Sequence, residues 1–173
     1  ARVRALPLRR VVAGQRLLLR IAITNGNAQL RARLRKRGPD SAGIAVYHKP
    51  VTGKDSKLTL FHADPHFHWR EIGGALGEAL KAEVDIETKA NHVVMTVSAP
   101  DANVRGWLKA HHPEIRIMGY GQVMEVFKDM GLPKQVADRY GLAKMEGTHA
   151  IGHTRMATES AVTTEHSHPF TAA

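Results

Sequence analysis

Apolar and polar positions alternate in short runs along most of this chain. The apolar run 43–48 reads as a strand, and 57–61 alternates and reads as its antiparallel partner across a Thr52-Gly53-Lys54-Asp55 turn. From Trp69 to Ala82 the spacing becomes helical, with Ile72, Leu76 and Leu80 on one stripe, although Gly73, Gly74 and Gly77 weaken that helix. Val84 to Thr88 and His92 to Val97 read as strands around a Lys89-Ala90-Asn91 turn. Pro100 stands at a helix start, and Val104, Trp107, Leu108 and His111 form its apolar face, of which Trp107 and Leu108 read as core. Ile115 to Met118 is another short strand. Gln122 to Met130 has no clear period. Pro133 opens a last short helix that ends at Gly141, a residue suited to the position after a helix. Ala150 and Ile151 read as the end of a buried strand. The pattern is mixed α and β, without internal repeats.

Composition narrows the class. A chain of 173 residues is long enough for one domain with a core, and no apolar run approaches the ~20 residues of a membrane span. There is no cysteine, so disulfides, thiolate metal sites and a cysteine nucleophile within these residues are all excluded. That is compatible with a cytoplasmic location, which is the expectation here. The net charge of +9 is local: residues 1–39 hold ten Arg, one Lys and no acid, leaving 14 cations against 16 acids elsewhere. Residues 1–36 therefore form a basic leader with three readings. It is a targeting presequence, an arm that contacts nucleic acid, or sequence that is not native to the protein, from an altered frame or start. The nucleic-acid reading lacks aromatic residues for base stacking.

The densest chemistry lies between Gly147 and Phe170. Arg155 stands among small neighbours, Thr154 and Ala157, just after Gly152. A guanidinium offers two parallel donors to the two oxygens of a carboxylate, so this is a candidate carboxylate grip; an isolated arginine is more often a surface or paired residue. Histidines recur at His62, His66 and His68 and at His149 and His153, which makes a His-rich metal-binding protein a further reading. Gly152 and Pro65 oppose the helices that such spacings need, and no metal site is expected.

Two segments carry a resemblance. Ile151-Gly152-His153-Thr154-Arg155-Met156-Ala157-Thr158, followed by His168-Pro169-Phe170, resembles the glutamine-site signature of class II glutamine amidotransferases. Arg37-Gly38-Pro39-Asp40-Ser41-Ala42-Gly43-Ile44-Ala45-Val46 is similar to a second signature of that family. The wording Met156 to Thr164 resembles the separate glutaminase subunit of N-methylglutamate synthase and related glutamate-synthase-like enzymes. The resemblance covers roughly Arg37 to Thr171.

It implies an α+β fold of the N-terminal-nucleophile-hydrolase type, a four-layer αββα sandwich. Residues 37–173 would be part of a type 2 glutamine amidotransferase domain, incomplete, with about 70–141 as an inserted α/β lobe. The implied reaction is hydrolysis of the glutamine side-chain amide to glutamate and ammonia by a first-position cysteine, whose α-amino group is the base. Arg155 matches the residue that holds the glutamine α-carboxylate, and Thr158 matches a pocket position beside it. Arg37, Asp40 and His153 match supporting positions. No metal or organic cofactor is implied. The implied partner is a flavin-containing, glutamate-synthase-like synthase subunit that receives the ammonia. Position 1 is Ala1, and the family's Asn-Gly pair and substrate-binding aspartate would follow Phe170. The expectation is a fragment lacking both ends of the domain and inactive as it stands. The alternative is a basic nucleic-acid-binding module using residues 1–36.

Overall fold

The structure is a computed structural model that describes residues 41–48, 50–145, 147–155, 163, 164 and 169. The basic leader, Arg37, Asp40 and Thr158 lie outside the described residues. In order the elements are β1 (Ser41–Tyr47), β2 (Ser56–Phe61), α1 (Trp69–Leu80), β3 (Val84–Lys89), β4 (His92–Val97), α2 (Asp101–His111), β5 (Arg116–Gly121), β6 (Met124–Met130), α3 (Pro133–Arg139), a 3-10 turn (Leu142–Lys144) and β7 (His149–Arg155). The described residues are thus α+β, with two antiparallel sheets and three helices. No helix among them is long and apolar enough to cross a membrane. They divide into two compact units, one of 41–46 with the residues from 128 onward, the other of 47–127.

The second unit is built on a four-stranded sheet of order β3-β4-β2-β5. The hairpin β3–β4 pairs Lys89 with His92, so Ala90 and Asn91 make a two-residue loop. Ala90 takes the positive φ of 54° that such tight loops demand. Helix α1 buries Trp69, Gly73 and Leu76, the i, i+4, i+7 stripe of an amphipathic helix. Two of the glycines that weaken its propensity are the contact itself. A Cβ on Gly73 would lie 2.4 Å from Ile86 Cδ1, and one on Gly77 would lie 2.9 Å from the Ala82 carbonyl oxygen. The helix stops at Lys81, which turns left-handed at φ 50° and donates to the Glu78 carbonyl, while Ala82 N–H donates to Gly77. In α2, Val104 and Leu108 are buried, and Trp107 stacks on His111 at 4.7 Å.

Alternate residues of β2 and β4 meet these helices. Leu58, Leu60, Val93, Met95 and Val97 pack with Trp69, Leu76, Val104 and Leu108 in one core. The intervening residues, Thr59, Phe61, His92 and Val94, are buried too. On that face Val126 N–H donates to Thr59 Oγ1 at 3.1 Å, and the Phe127 ring lies 6.0 Å from His92.

This arrangement corrects the expected pairing of 57–61 with 43–48. β2 pairs with β4 and β5, whereas β1 lies between β6 and β7. The link 48–55 is too long for a tight hairpin. It bonds instead to the β5–β6 turn, with His48 N–H on Val123 at 2.7 Å and Val51 N–H on Gln122 at 3.0 Å. The Thr52–Asp55 turn does form, with Asp55 N–H donating to Thr52 at 3.1 Å. The second difference is β6, which fills the stretch that showed no period. Five consecutive residues, Glu125 to Asp129, are buried, so the strand has no polar face to reveal it.

Candidate functional site

The two segments with the signature wording come together in the three-stranded sheet, order β6-β1-β7. β1 is the middle strand, and Ser41 to Val46 are buried throughout. β7 stands at the end of that order and carries His149 to Arg155. Position 152 lies beside position 43: a Cβ on Gly152 would stand 4.0 Å from the Gly43 carbonyl oxygen. In antiparallel pairing that directs the end of β7 at Arg155 toward the start of β1 at Ser41.

One expectation about β7 is corrected. Ile151 is 53% exposed and does not end a buried strand. A terminal position in the sheet order leaves its outer side uncovered among the described residues. The 4.0 Å distance at Gly152 is ordinary contact, so none of the described neighbours requires glycine there.

Arg155 is the last residue of β7, and His153 is an exposed residue of the same strand. Ser41, the residue after Asp40, opens the neighbouring strand. The structure therefore brings the two motif-bearing strands together. The side-chain meeting of Arg155 with Arg37, Asp40 and Thr158 lies outside what is described.

Sequence reasoning missed a buried carboxylate on the third strand of this sheet. Asp129 of β6 is 4% exposed and receives donors on both oxygens. Arg139 Nη1 and the Tyr140 hydroxyl, the latter at 3.0 Å, donate to Oδ2. Thr164 Oγ1 at 3.1 Å and Met130 N–H at 2.8 Å donate to Oδ1. Helix α3 delivers the first pair. Pro133 opens it, and Gly141, at φ 64°, takes the left-handed conformation after Tyr140 that ends it. Burial and the Asp129 charge push the Tyr140 hydroxyl well above the ordinary phenol range, so it stays a donor. The Asp129 carboxylate in turn holds the Arg139 guanidinium more firmly charged. Beside it, Lys128 Nζ reaches the Pro169 carbonyl at 3.5 Å, a long contact. Nothing in local spacing signals this network, whose members are 10, 11 and 35 positions from Asp129.

A second buried carboxylate, Glu125, belongs to the other unit. Lys57 Nζ lies 3.0 Å from Oε1. His48 Nε2 lies 3.3 Å from Oε2, an ion-pair distance without good hydrogen-bond alignment. Burial acts most strongly and would raise this carboxyl, but His48 and Lys57 together outweigh it and hold it below the ordinary carboxylate value. A depressed folded pKa stabilises the fold above the unfolded value and loses that contribution as pH falls through the folded one. Acid titration of unfolding should therefore show wild type losing stability below about pH 4.5 more steeply than Glu125→Gln. Parallel acid limbs would show that this carboxyl does not sense folding.

Among the described residues, no group of three or more His, Asp or Glu side chains is placed to hold a metal ion. His62 stacks on Phe67 at 3.9 Å, and Asp64 caps the turn by accepting from His66 N–H at 2.8 Å. The His62 ring also accepts from Asp64 N–H at 3.1 Å, so that side chain serves local structure.

The fold and site define an α+β protein in which an arginine-bearing strand lies beside the strand of a second motif. No family model matches the chain. It is 45% identical over 135 residues to the glutamine amidotransferase-like protein GlxB of Rhizobium meliloti strain 1021, covering 78% of this chain and 44% of that protein. It is 44% identical over 157 residues to a protein of Methanothermobacter thermautotrophicus strain Delta H whose name marks a glutamine amidotransferase assignment as provisional; this covers 79% of the chain and 48% of that protein. A shorter match, 49% over 49 residues, is to the amidophosphoribosyltransferase of Mycobacterium leprae strain TN, covering 28% of this chain and 9% of that protein. The chain spans about half the length of the first two relatives. These similarities support a place in the glutamine amidotransferase family.

Proposed function

We propose that this chain is part of a class II glutamine amidotransferase domain of the N-terminal-nucleophile-hydrolase type. In this reading the complete domain is an αββα sandwich, and about 70–141 is an inserted lobe. The domain releases ammonia from glutamine for a synthase subunit, which is flavin-containing and glutamate-synthase-like, and it works in the cytoplasm. One observation carries the reading: β1 and β7 are neighbours in one sheet although their motifs lie more than a hundred positions apart. The relatives named for glutamine amidotransfer support it.

Arg155 then grips the glutamine α-carboxylate through two charge-assisted hydrogen bonds, and Thr158 lines the same pocket. Arg37, Asp40 and His153 support that pocket. Hydrolysis in this class needs a cysteine thiolate, and these 173 residues contain none. The chain by itself therefore does not cleave glutamine. Calorimetry on the pure chain should show saturable binding of L-glutamine and none of its α-carboxamide, with no ammonia released above background. Equal response to the two ligands would remove the carboxylate grip; ammonia release lost on mutating the chain would remove the cysteine requirement.

A further inference from the structure

An open groove runs between α1 and β3. Val84 and Ile86, both half-buried, form its apolar floor, and Arg70, Gly74 and Glu78 of α1 line its side. Those three residues are exposed and follow one another at helical i, i+4, i+8 spacing. β3 is the terminal strand of its sheet, so no further strand closes the groove among the described residues. Neither Arg70 nor Glu78 has an ion-pair partner among them. Gly73 and Gly77 are crowded by Ile86 and the Ala82 carbonyl, but a Cβ on Gly74 would meet nothing within 4 Å. Glycine is unfavourable in a helix interior, and no described contact requires one at 74.

The charges on this face are self-complementary. Gly74 lies midway between a cation and an anion, each about 6 Å away along the axis at ~1.5 Å per residue. Two copies of α1 laid antiparallel about a two-fold axis at Gly74 set Arg70 against the partner's Glu78 and Glu78 against the partner's Arg70. Glycine at the crossing lets the backbones approach, and the partner's helix covers Val84 and Ile86. A small molecule in so open a groove would stay largely in water, whereas a helix buries apolar surface along its length. We infer that α1 is a self-association surface, through which two copies of the chain pair with their α1 helices antiparallel. This stands apart from the glutamine site. One pair of 12-residue helices is small beside the ~1,200–2,000 Å² of a stable interface, so the dimer is weak and reversible.

The test is sedimentation velocity on the full chain from about 1 μM to about 1 mM. Salt at ~0.15 M screens the net charge of +9. Wild type should pass reversibly from monomer to dimer over that range. Arg70→Glu and Glu78→Arg each set like charges together in both symmetric contacts, and each should weaken association about 10-fold or more. Mixed one to one, these two proteins should pair about as tightly as wild type, because each supplies the charge the other needs. Gly74→Leu should remove the dimer by blocking the crossing, and its thermal unfolding should come no earlier than that of wild type. A wild type that stays monomeric throughout overturns the proposal and leaves the groove to a different partner. Dimers of Arg70→Glu, Glu78→Arg or Gly74→Leu as tight as wild type would place the association on another surface. Failure of the two reversed proteins to pair on mixing would equally overturn it.

Discussion

Replacing Arg155 by lysine is expected to weaken glutamine binding by the chain about 10- to 100-fold, as read from the calorimetric dissociation constant. The charge is kept, so a purely electrostatic role would survive the change. Geometry is what is lost. A guanidinium places two N–H donors in a fixed plane that matches a carboxylate, whereas an ammonium is a point charge that meets one oxygen well. Arg155 ends a strand, and its backbone is held by the sheet, so a lysine there cannot recover the fork by shifting the main chain. The α-carboxamide of glutamine, which lacks the carboxylate, should bind neither protein. An unchanged dissociation constant in Arg155→Lys would mean that another residue holds the carboxylate.

Asp129→Ala should cost about 2–4 kcal/mol of unfolding free energy, read by denaturant titration. The loss comes from the groups left behind. Tyr140 and Thr164 are 3% and 7% exposed, so their hydroxyls would lose a buried acceptor without gaining water. Arg139 contributes less, because its side chain is 47% exposed and solvent can take over. Asp129→Asn should be milder. Its amide oxygen still accepts from one side, though the NH2 group then faces a donor. If Asp129→Ala and Asp129→Asn were both within ~0.5 kcal/mol of wild type, the network would be ornamental.

Much of the second unit was legible because its elements are periodic and local. The Ile72–Leu76–Leu80 stripe and the His92–Val97 run each follow one period, and a two-residue loop closes the β3–β4 hairpin. The pairing of β2 was misread because the neighbouring strand in sequence is the natural first guess, and nothing in 57–61 names its true partners. β6 escaped for a different reason. Glu125, Lys128 and Asp129 look like solvent-facing residues, yet each is 5% exposed or less. Their burial is tolerable only through partners such as Lys57, Arg139 and Thr164, far away in sequence. Ile151 was misread in the opposite direction, since an apolar residue on an outer strand looks like core. At the candidate site the strand that ends at Arg155 was legible from its wording. Asp129 was not, because its role exists only once α3 and Thr164 have folded onto β6.

The placement of β1 sets an order of events during synthesis. Its partners, β6 and β7, begin at Met124 and His149, whereas β1 itself ends at Tyr47. A polypeptide growing from its amino end therefore displays β1, a strand of buried residues, long before either neighbour exists. The strands of the four-stranded sheet all fall between Ser56 and Gly121, so that sheet can close first from contacts of shorter range. β1 is the stretch that waits longest for its neighbours, and an unpaired apolar strand is a template for pairing with another chain. Slow or interrupted synthesis between Gly121 and His149 would lengthen that exposure, making the yield of folded chain sensitive to translation rate over those positions.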